Sequence, residues 1–366
     1  MPVPKRVLLL QTRFIAGISD LNGALALSLT RQGIDVTCVY LESGKDCSGA
    51  TRTQSLHLSK TDYAGLRLGA KKQLKAFFLA YSFDVIIVNM YKPIELLCKV
   101  EKYLGNAKCI GVFHAFGEFD RLSRRLAFRY SVKKRFQFVG VSQALCDYLI
   151  AQNVGISSRN CHCIYNAIDL AELDKNALTR ETARELFGLS PSHKVIGTLG
   201  RLVADKQQHV LISAMARLIP RLPDLKLVIM GNGELLKDLQ RQTRELGISD
   251  HVIFSGALEH GSRYLPALDV FAFPSRSEGF GLALLEAMAQ RVPVLINNIE
   301  PLSTIMGGIG EGINVNNPRE LDTALFSLLT KNTNAARQQG EALRQRVENE
   351  FSLERFETDY YRLLTL

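Results

Sequence analysis

Short apolar runs alternate with amphipathic segments along almost the whole chain. RVLLLQ (6–11), DVTCVYL (35–41), DVIIVNM (84–90), KCIGVFH (108–114) and FQFVGVS (136–142) read as buried strands. A second series, KVIGTLG (194–200), LKLVIMG (225–231), HVIFSG (251–256), DVFAFPS (269–275) and VPVLINN (292–298), repeats the pattern. Helix-like spacing lies between most of them, as in 23–31 and 207–219. Alternating β and α segments predict parallel sheets covered by helices on both faces. Two series predict two doubly wound α/β domains. The break falls near 175–192, where a polar helical stretch (171–186) meets the turn cluster GLSPS (188–192). Residues 337–366 read as helix, with an interruption near Phe351–Ser352. There is no tandem repeat.

Open parallel sheets bind ligands beyond the carboxyl ends of their strands. The informative motifs all follow such strands. Arg201 and Lys206 lie in TLGRLVADKQQ (198–208), after the first strand of the second series. A guanidinium fork and a compact ammonium beside a helix start suit a diphosphate. Read alone, they also suit two solvated surface cations. Further on, SRSEGFGLALLEAM (275–288) has a glycine turn before strong helix formers. A helix start offers free N–H groups to a phosphate. Glu278 precedes the turn and Glu286 sits about one turn into the helix. Carboxylates there can accept hydrogen bonds from sugar or ribose hydroxyls; a helix cap and a solvated glutamate are the plain alternative. His114, in VFHAFGEF (112–119), follows a strand of the first series. Gly17 follows the first strand, but its spacing to Gly23 is not the dinucleotide fingerprint, and there is no P-loop.

Charge adds a further feature. The 366 residues carry 45 Lys+Arg and 36 Asp+Glu. Residues 1–175 hold 24 of the bases and only 14 of the acids, so the whole excess lies in the first half. That half is expected to meet something anionic. RLSRRLAFRYSVKKR (121–135) has seven basic residues and no acid. Arg121, Arg125, Arg129 and Lys133 form one helical stripe, beside an apolar stripe of Leu122, Leu126 and Tyr130. This pattern suits a membrane surface or an anionic substrate, and equally a solvated basic face. No apolar run reaches the roughly 20 residues of a membrane helix, and MPVPKRVLLLQT lacks the long apolar core of a secretory signal. Seven scattered cysteines, with Cys161 and Cys163 flanking His162, read as reduced thiols without a metal site. Without a nucleic-acid motif, nucleic acid is not an expected partner.

Taken in order, these segments resemble the retaining family-four glycosyltransferases of the GT-B fold, over nearly the whole chain. GRLVADKQ (200–207) is similar to the family's G-R-L-x-x-x-K-[GQN] element, and 265–295 to its E-x7-E block. VSQALCDYL (141–149), IYNAIDL (164–170) and 231–258 are similar to connecting segments. The resemblance implies two Rossmann-like domains facing across a cleft. Residues 1–175 would bind the acceptor, with 351–366 packing back on them, and 176–350 would bind the nucleotide-sugar donor. It implies that Arg201 and Lys206 bind the donor diphosphate, and that Glu278 contacts donor-sugar hydroxyls. Gly279, Phe280, Gly281 and Leu282 would line the phosphate and sugar, with Glu286 holding the ribose. Leu258 would meet the base, Gly17 would approach the substrate, and His114 would contact the transferred sugar.

The implied reaction moves a sugar, with its α-linkage retained, from a UDP- or GDP-sugar to a glycan or glycolipid of lipopolysaccharide core or another cell-envelope polymer. Two cations and a helix N-terminus would stabilise the leaving diphosphate, so no metal or other cofactor is expected; there is no D-x-D pair. Glu278 is not assigned as a covalent nucleophile. The expected location is the cytoplasm, at the inner face of the cytoplasmic membrane. The sequence departs from the family at 16–20 (AGISD), 298–302 (NIEPL) and 310–313 (GEGI), where acceptor and sugar contacts would fall. A sugar-nucleotide epimerase of the same fold, or a non-catalytic protein binding anionic lipid or nucleic acid, is the alternative.

Overall fold

The structure is a computed structural model that describes residues 4–15, 18–63, 67–132 and 135–366. The chain divides into two compact units, Met1–Ala167 with Leu353–Leu366, and Ile168–Ser352.

In the first unit the elements run β1 (Arg6–Gln11), α1 (Ile18–Arg31), β2 (Asp35–Tyr40), β3 (Arg52–Ser55), α2 (Leu68–Ala80), β4 (Val85–Asn89), α3 (Tyr91–Lys99), β5 (Lys108–Phe113), α4 (Leu122–Ser131), β6 (Phe136–Gly140), α5 (Gln143–Ala151) and β7 (Cys161–Cys163). The sheet order is β3-β2-β1-β4-β5-β6-β7, with every pair parallel. Val7–Leu10 and all of β4 are buried, as expected for strands covered on both faces. From β1 the order runs outward through β2 in one direction and β4 in the other. The carboxyl ends of β1 and β4 therefore flank a topological switch point, the usual place for a ligand in an open parallel sheet.

The second unit runs α6 (Leu170–Asn176), α7 (Arg180–Leu186), β8 (Lys194–Leu199), α8 (Gln208–Leu218), β9 (Leu225–Met230), α9 (Leu236–Glu245), β10 (Val252–Gly256), β11 (Val270–Phe273), α10 (Leu282–Ala289), β12 (Val294–Asn297), α11 (Leu302–Met306), β13 (Glu311–Ile313), α12 (Pro318–Thr330) and α13 (Thr333–Glu350). Its sheet order is β10-β9-β8-β11-β12-β13, again parallel throughout. The switch point lies between β8 and β11, the strands that carry the Arg201–Lys206 and Glu278–Glu286 segments. One core cluster joins the sheet to α8 and α12 through Ile196, Leu227, Ile229, Leu211, Met215, Leu321 and Leu325.

The polar stretch 171–186 is two helices rather than one. Asp169 caps α6 by accepting from the Glu172 N–H, and Thr179 caps α7 by accepting from the Thr182 N–H. Asp174 of α6 forms a two-pronged ion pair with Arg344 of α13, at 2.8 Å on both oxygens. This pair holds 168–175 to the second unit, so the division falls at Ala167 rather than at 175. The chain breaks at Phe351–Ser352 and α14 (Leu353–Thr365) rejoins the first unit, where the Lys108 ammonium donates to the Leu363 carbonyl.

Candidate active site

The loop after β8 is shaped by backbone contact. Gly231, at the end of β9, has φ 143°, and a Cβ there would fall 1.9 Å from the Gly200 carbonyl oxygen. A Cβ on Gly233 would fall 2.4 Å from the Leu202 oxygen. The Leu202 N–H donates to Asn232 O at 3.0 Å, and buried Gln208 donates to Arg201 O at 3.0 Å. The backbone of Arg201 is thus held from both sides, while its side chain is exposed and has no ion-pair partner among the described residues. Gly231→Ala is expected to push this loop away and destabilise the second unit by about 1–3 kcal/mol, the usual range for overpacking. Thermal unfolding checks this; an unchanged midpoint would contradict the close approach.

The loop after β11 lies beside it. Ser275 is fully buried, and its carbonyl accepts from Asn297 at 3.1 Å. Arg276 ties the two loops together: its N–H donates to Asp205 O at 2.8 Å and its guanidinium to Asp205 Oδ1 at 2.8 Å. Lys206 and Glu278 form an ion pair, with side chains only 17% and 11% exposed. The Lys206 ammonium also stands 5.3 Å from the centre of the Phe273 ring. Sequence reasoning gave Lys206 and Glu278 separate partners on a ligand; the structure pairs them with each other. Gly279 and Phe280 follow, and Gly281, with φ 120°, opens α10. A Cβ on Gly281 would meet the tip of the Leu302 side chain at 2.8 Å, and the positive φ itself favours glycine there. Leu282 begins the helix, whose first N–H groups have no intrahelical acceptor. Glu286 is half-buried one turn in, and half-buried Leu258 follows β10 on the same edge of the sheet.

In the first unit, His114 follows β5 and joins a polar track that the sequence did not reveal. Its Nε2 lies 2.8 Å from Asn89 Oδ1. Asn89 Nδ2 donates to Asn22 Oδ1 at 3.3 Å, and Asn22 Nδ2 donates to Gln11 Oε1 at 3.1 Å. Gln11 ends β1 and Asn89 ends β4, so the track crosses the first unit's switch point. With Asn89 Oδ1 as acceptor, the His114 proton sits on Nε2. Nδ1 is then a buried lone pair without a hydrogen-bond partner among the described residues. Polar side chains inside apolar strand ends are the signal that could have marked Asn89 and Gln11. Gly17 lies outside the described residues.

Burial pushes the His114 pKa down to about 4, so the ring is neutral near pH 7. The unfolded chain takes up this proton near pH 6.5. Stability from the neutral ring is therefore complete above about pH 6.5 and falls by roughly 1.4 kcal/mol per pH unit from there to about pH 4. His114→Phe is expected to flatten the pH dependence of the unfolding midpoint over this window. A wild-type slope in the variant would contradict the buried neutral ring.

Helix α4 carries the predicted stripes. Leu122, Leu126 and Tyr130 are 66%, 46% and 81% exposed, on a helix whose Phe128 is fully buried. Arg121 and Arg129 are exposed beside them. Arg125 is engaged at 3.1 Å with Gln152 O, and Arg124 pairs with Glu118 and stands 5.2 Å from the centre of the Tyr91 ring. Lys133 lies outside the described residues. No helix among the described residues is long and apolar enough to cross a membrane.

With this geometry established, comparison with known proteins places the chain. Residues 179–346 match the family model for glycosyl transferases group 1, and residues 16–172 match that for Glycosyltransferase Family 4. The chain belongs to the retaining family-four glycosyltransferases with the GT-B fold. Among curated relatives it is 36% identical over 140 residues to the N-acetylgalactosamine-N,N'-diacetylbacillosaminyl-diphospho-undecaprenol 4-alpha-N-acetylgalactosaminyltransferase of Campylobacter jejuni, covering 38% of this chain and 35% of the relative. It is 35% identical over 170 residues to the GDP-mannose-dependent alpha-(1-6)-phosphatidylinositol monomannoside mannosyltransferase of Mycolicibacterium smegmatis, covering 43% and 44%. It is 31% identical over 134 residues to a lipopolysaccharide core biosynthesis mannosyltransferase of Rhizobium meliloti, covering 35% and 38%. The matches thus span less than half of each of these relatives. Among solved structures, Anabaena Alr3699/HepE in complex with UDP and glucose is similar over 99% of both chains, with TM-score 0.81 and 18% identity, a likeness of fold.

Proposed function

We propose that this protein is a retaining glycosyltransferase that takes a nucleoside-diphosphate sugar, UDP- or GDP-linked, as donor. The observation that carries this reading is the arrangement at the β8/β11 switch point. There the uncommitted Arg201 guanidinium, the enclosed Lys206–Glu278 pair and the start of α10 occupy adjoining loops. As the sugar–phosphate bond breaks, negative charge grows on the leaving diphosphate. Arg201, Lys206 and the α10 N–H groups would stabilise it. Glu278, fixed by Lys206, is placed to accept from donor-sugar hydroxyls, and Glu286 from the ribose. Leu258 would lie near the base. In the first unit, neutral His114 would contact the transferred sugar without placing a positive charge beside it. The reaction is proposed to need no metal or other cofactor.

The acceptor is proposed to be a glycolipid of the lipopolysaccharide core or another cell-envelope glycan. Similarity to enzymes named for undecaprenol-linked, phosphatidylinositol and lipopolysaccharide-core substrates supports this, as does the basic first half of the chain. Leu122, Leu126 and Tyr130, flanked by Arg121 and Arg129, would rest on an anionic bilayer at the inner face of the cytoplasmic membrane. Replacing these three apolar residues by Ser is expected to cut sedimentation with anionic vesicles at least several-fold while leaving turnover of a water-soluble acceptor unchanged. Undiminished sedimentation would remove the membrane contact.

The reaction is tested by incubating the protein with UDP- and GDP-sugars and detergent-solubilised glycolipid acceptors in buffer containing EDTA, with the anomeric configuration of the product read by proton NMR. An α-linked product is expected. A β-linked product, or turnover only after a metal is restored, contradicts the mechanism.

A further inference from the structure

A cavity of about 820 Å³ lies wholly within the first unit, at the opposite edge of its sheet from the His114 track. It opens at the amino-terminal ends of β1, β4 and β5, beside Gln137 of β6 and His162 of β7, and is closed on one side by the end of α14. Its size falls in the range of about 300–1,000 Å³ usual for small-molecule sites.

Three cations of the wall, Lys108, Arg159 and Lys5, have no counter-charge on their side chains among the described residues. Lys108 is half-buried, and its ammonium donates to a main-chain oxygen, that of Leu363; no carboxylate among the described residues pairs with it. Burial holds its pKa below the usual lysine range. A partly buried ammonium without an anion is costly to keep. His162, bonded to Gln137 at 2.9 Å, is also held below the ordinary histidine range by burial and by the charge of Lys108. Arg159 and Lys5 are exposed at the rim, and their side chains have no partner among the described residues. Arg135, by contrast, is committed to Glu101 at 3.0 Å and Gly105 O at 2.8 Å. Asp84, a carboxylate in the wall, is held by the Lys5 and Arg6 N–H groups at 2.7 and 2.9 Å. Phe83, Leu363 and Leu364 supply an apolar side.

We propose that this cavity is a second ligand site, separate from the proposed donor site, for a phosphoryl group attached to an apolar moiety. The phosphoryl group would sit against Lys108, Arg159 and Lys5, with the apolar moiety along Phe83, Leu363 and Leu364. A lipid headgroup and a soluble phosphorylated compound share this chemistry. The inference does not depend on the reading of the donor loops, since every residue it uses lies in the first unit.

Calorimetric titration with octyl phosphate tests it on the full chain. Binding is expected for the wild type and, undiminished, for Arg201→Gln, whose altered residue lies in the donor loops. At least tenfold weaker binding is expected for Lys108→Gln and for Arg159→Gln. The second variant removes an exposed side chain that has no partner among the described residues, so a folding defect in Lys108→Gln would not obscure the result. Vesicles of phosphatidylcholine with phosphatidic acid, added as competitor, separate the sources: displacement of octyl phosphate assigns the site to a lipid headgroup, and its absence assigns it to a soluble compound. No binding to the wild type, equal affinity in Arg159→Gln, or loss in Arg201→Gln overturns the proposal.

Discussion

Lys206→Ala is expected to lower turnover about 10²–10³-fold, the usual cost of removing one donor aimed at developing negative charge, and to destabilise the second unit by about 3 kcal/mol. The two effects have different origins. Lys206 and Glu278 are paired and mostly enclosed, so removing the ammonium leaves a carboxylate in a site that water reaches poorly. That accounts for the stability loss. The rate loss arises because the same ammonium is proposed to face the leaving diphosphate. Combining Lys206→Met with Glu278→Leu separates them. Two apolar residues of similar volume need no counter-charge, so the double variant is expected to recover most of the stability and none of the rate. Calorimetric unfolding and initial rates check the pair of outcomes. Recovery of turnover in the double variant would mean that the ion pair serves the fold alone.

Arg201→Gln is expected to reduce turnover by a similar 10²–10³-fold while leaving the unfolding midpoint within the range of a neutral surface change, about 0.5 kcal/mol. Its guanidinium is exposed and pairs with nothing among the described residues, whereas its backbone is held by Gln208. The side chain can therefore be changed without moving the loop. A large stability loss would show that Arg201 has a structural partner; unchanged turnover would remove it from the donor site. The contrast with Lys206 is the informative part, because two cations five residues apart are expected to behave differently on unfolding and alike in catalysis.

Both domains were legible in the chain because ten strands are apolar runs, nine of them mostly buried and the tenth, β10, a partly buried end strand, and burial on both faces of a parallel sheet demands such runs. The short strands β3 (RTQS), β7 (CHC) and β13 (EGI) were not. They lie at the ends of their sheets, so they carry little apolar signal. The split between α6 and α7 was hidden because Asp169 and Thr179 act as caps only once each turn has formed. At the site, the glycine turn and both cations could be read from local sequence, but the Lys206–Glu278 pair could not: 72 residues separate its members, and only the adjacency of β8 and β11 joins them. The same holds for Gln11, Asn22, Asn89 and His114. Cys161 and Cys163 likewise looked isolated, yet Cys146 of α5 places its Sγ 3.4 Å from the intervening His162 oxygen.

The central claim is that the loops after β8 and β11 bind the diphosphate of a sugar nucleotide. Isothermal titration of UDP, GDP and ADP into wild-type protein and Arg201→Gln, in buffer free of divalent ions, tests it most directly. At least one nucleotide should bind the wild type, with affinity falling about tenfold or more in the variant, a difference of about 1.4 kcal/mol. Equal affinity in the two proteins, or no binding of any nucleotide to the wild type, would contradict the account.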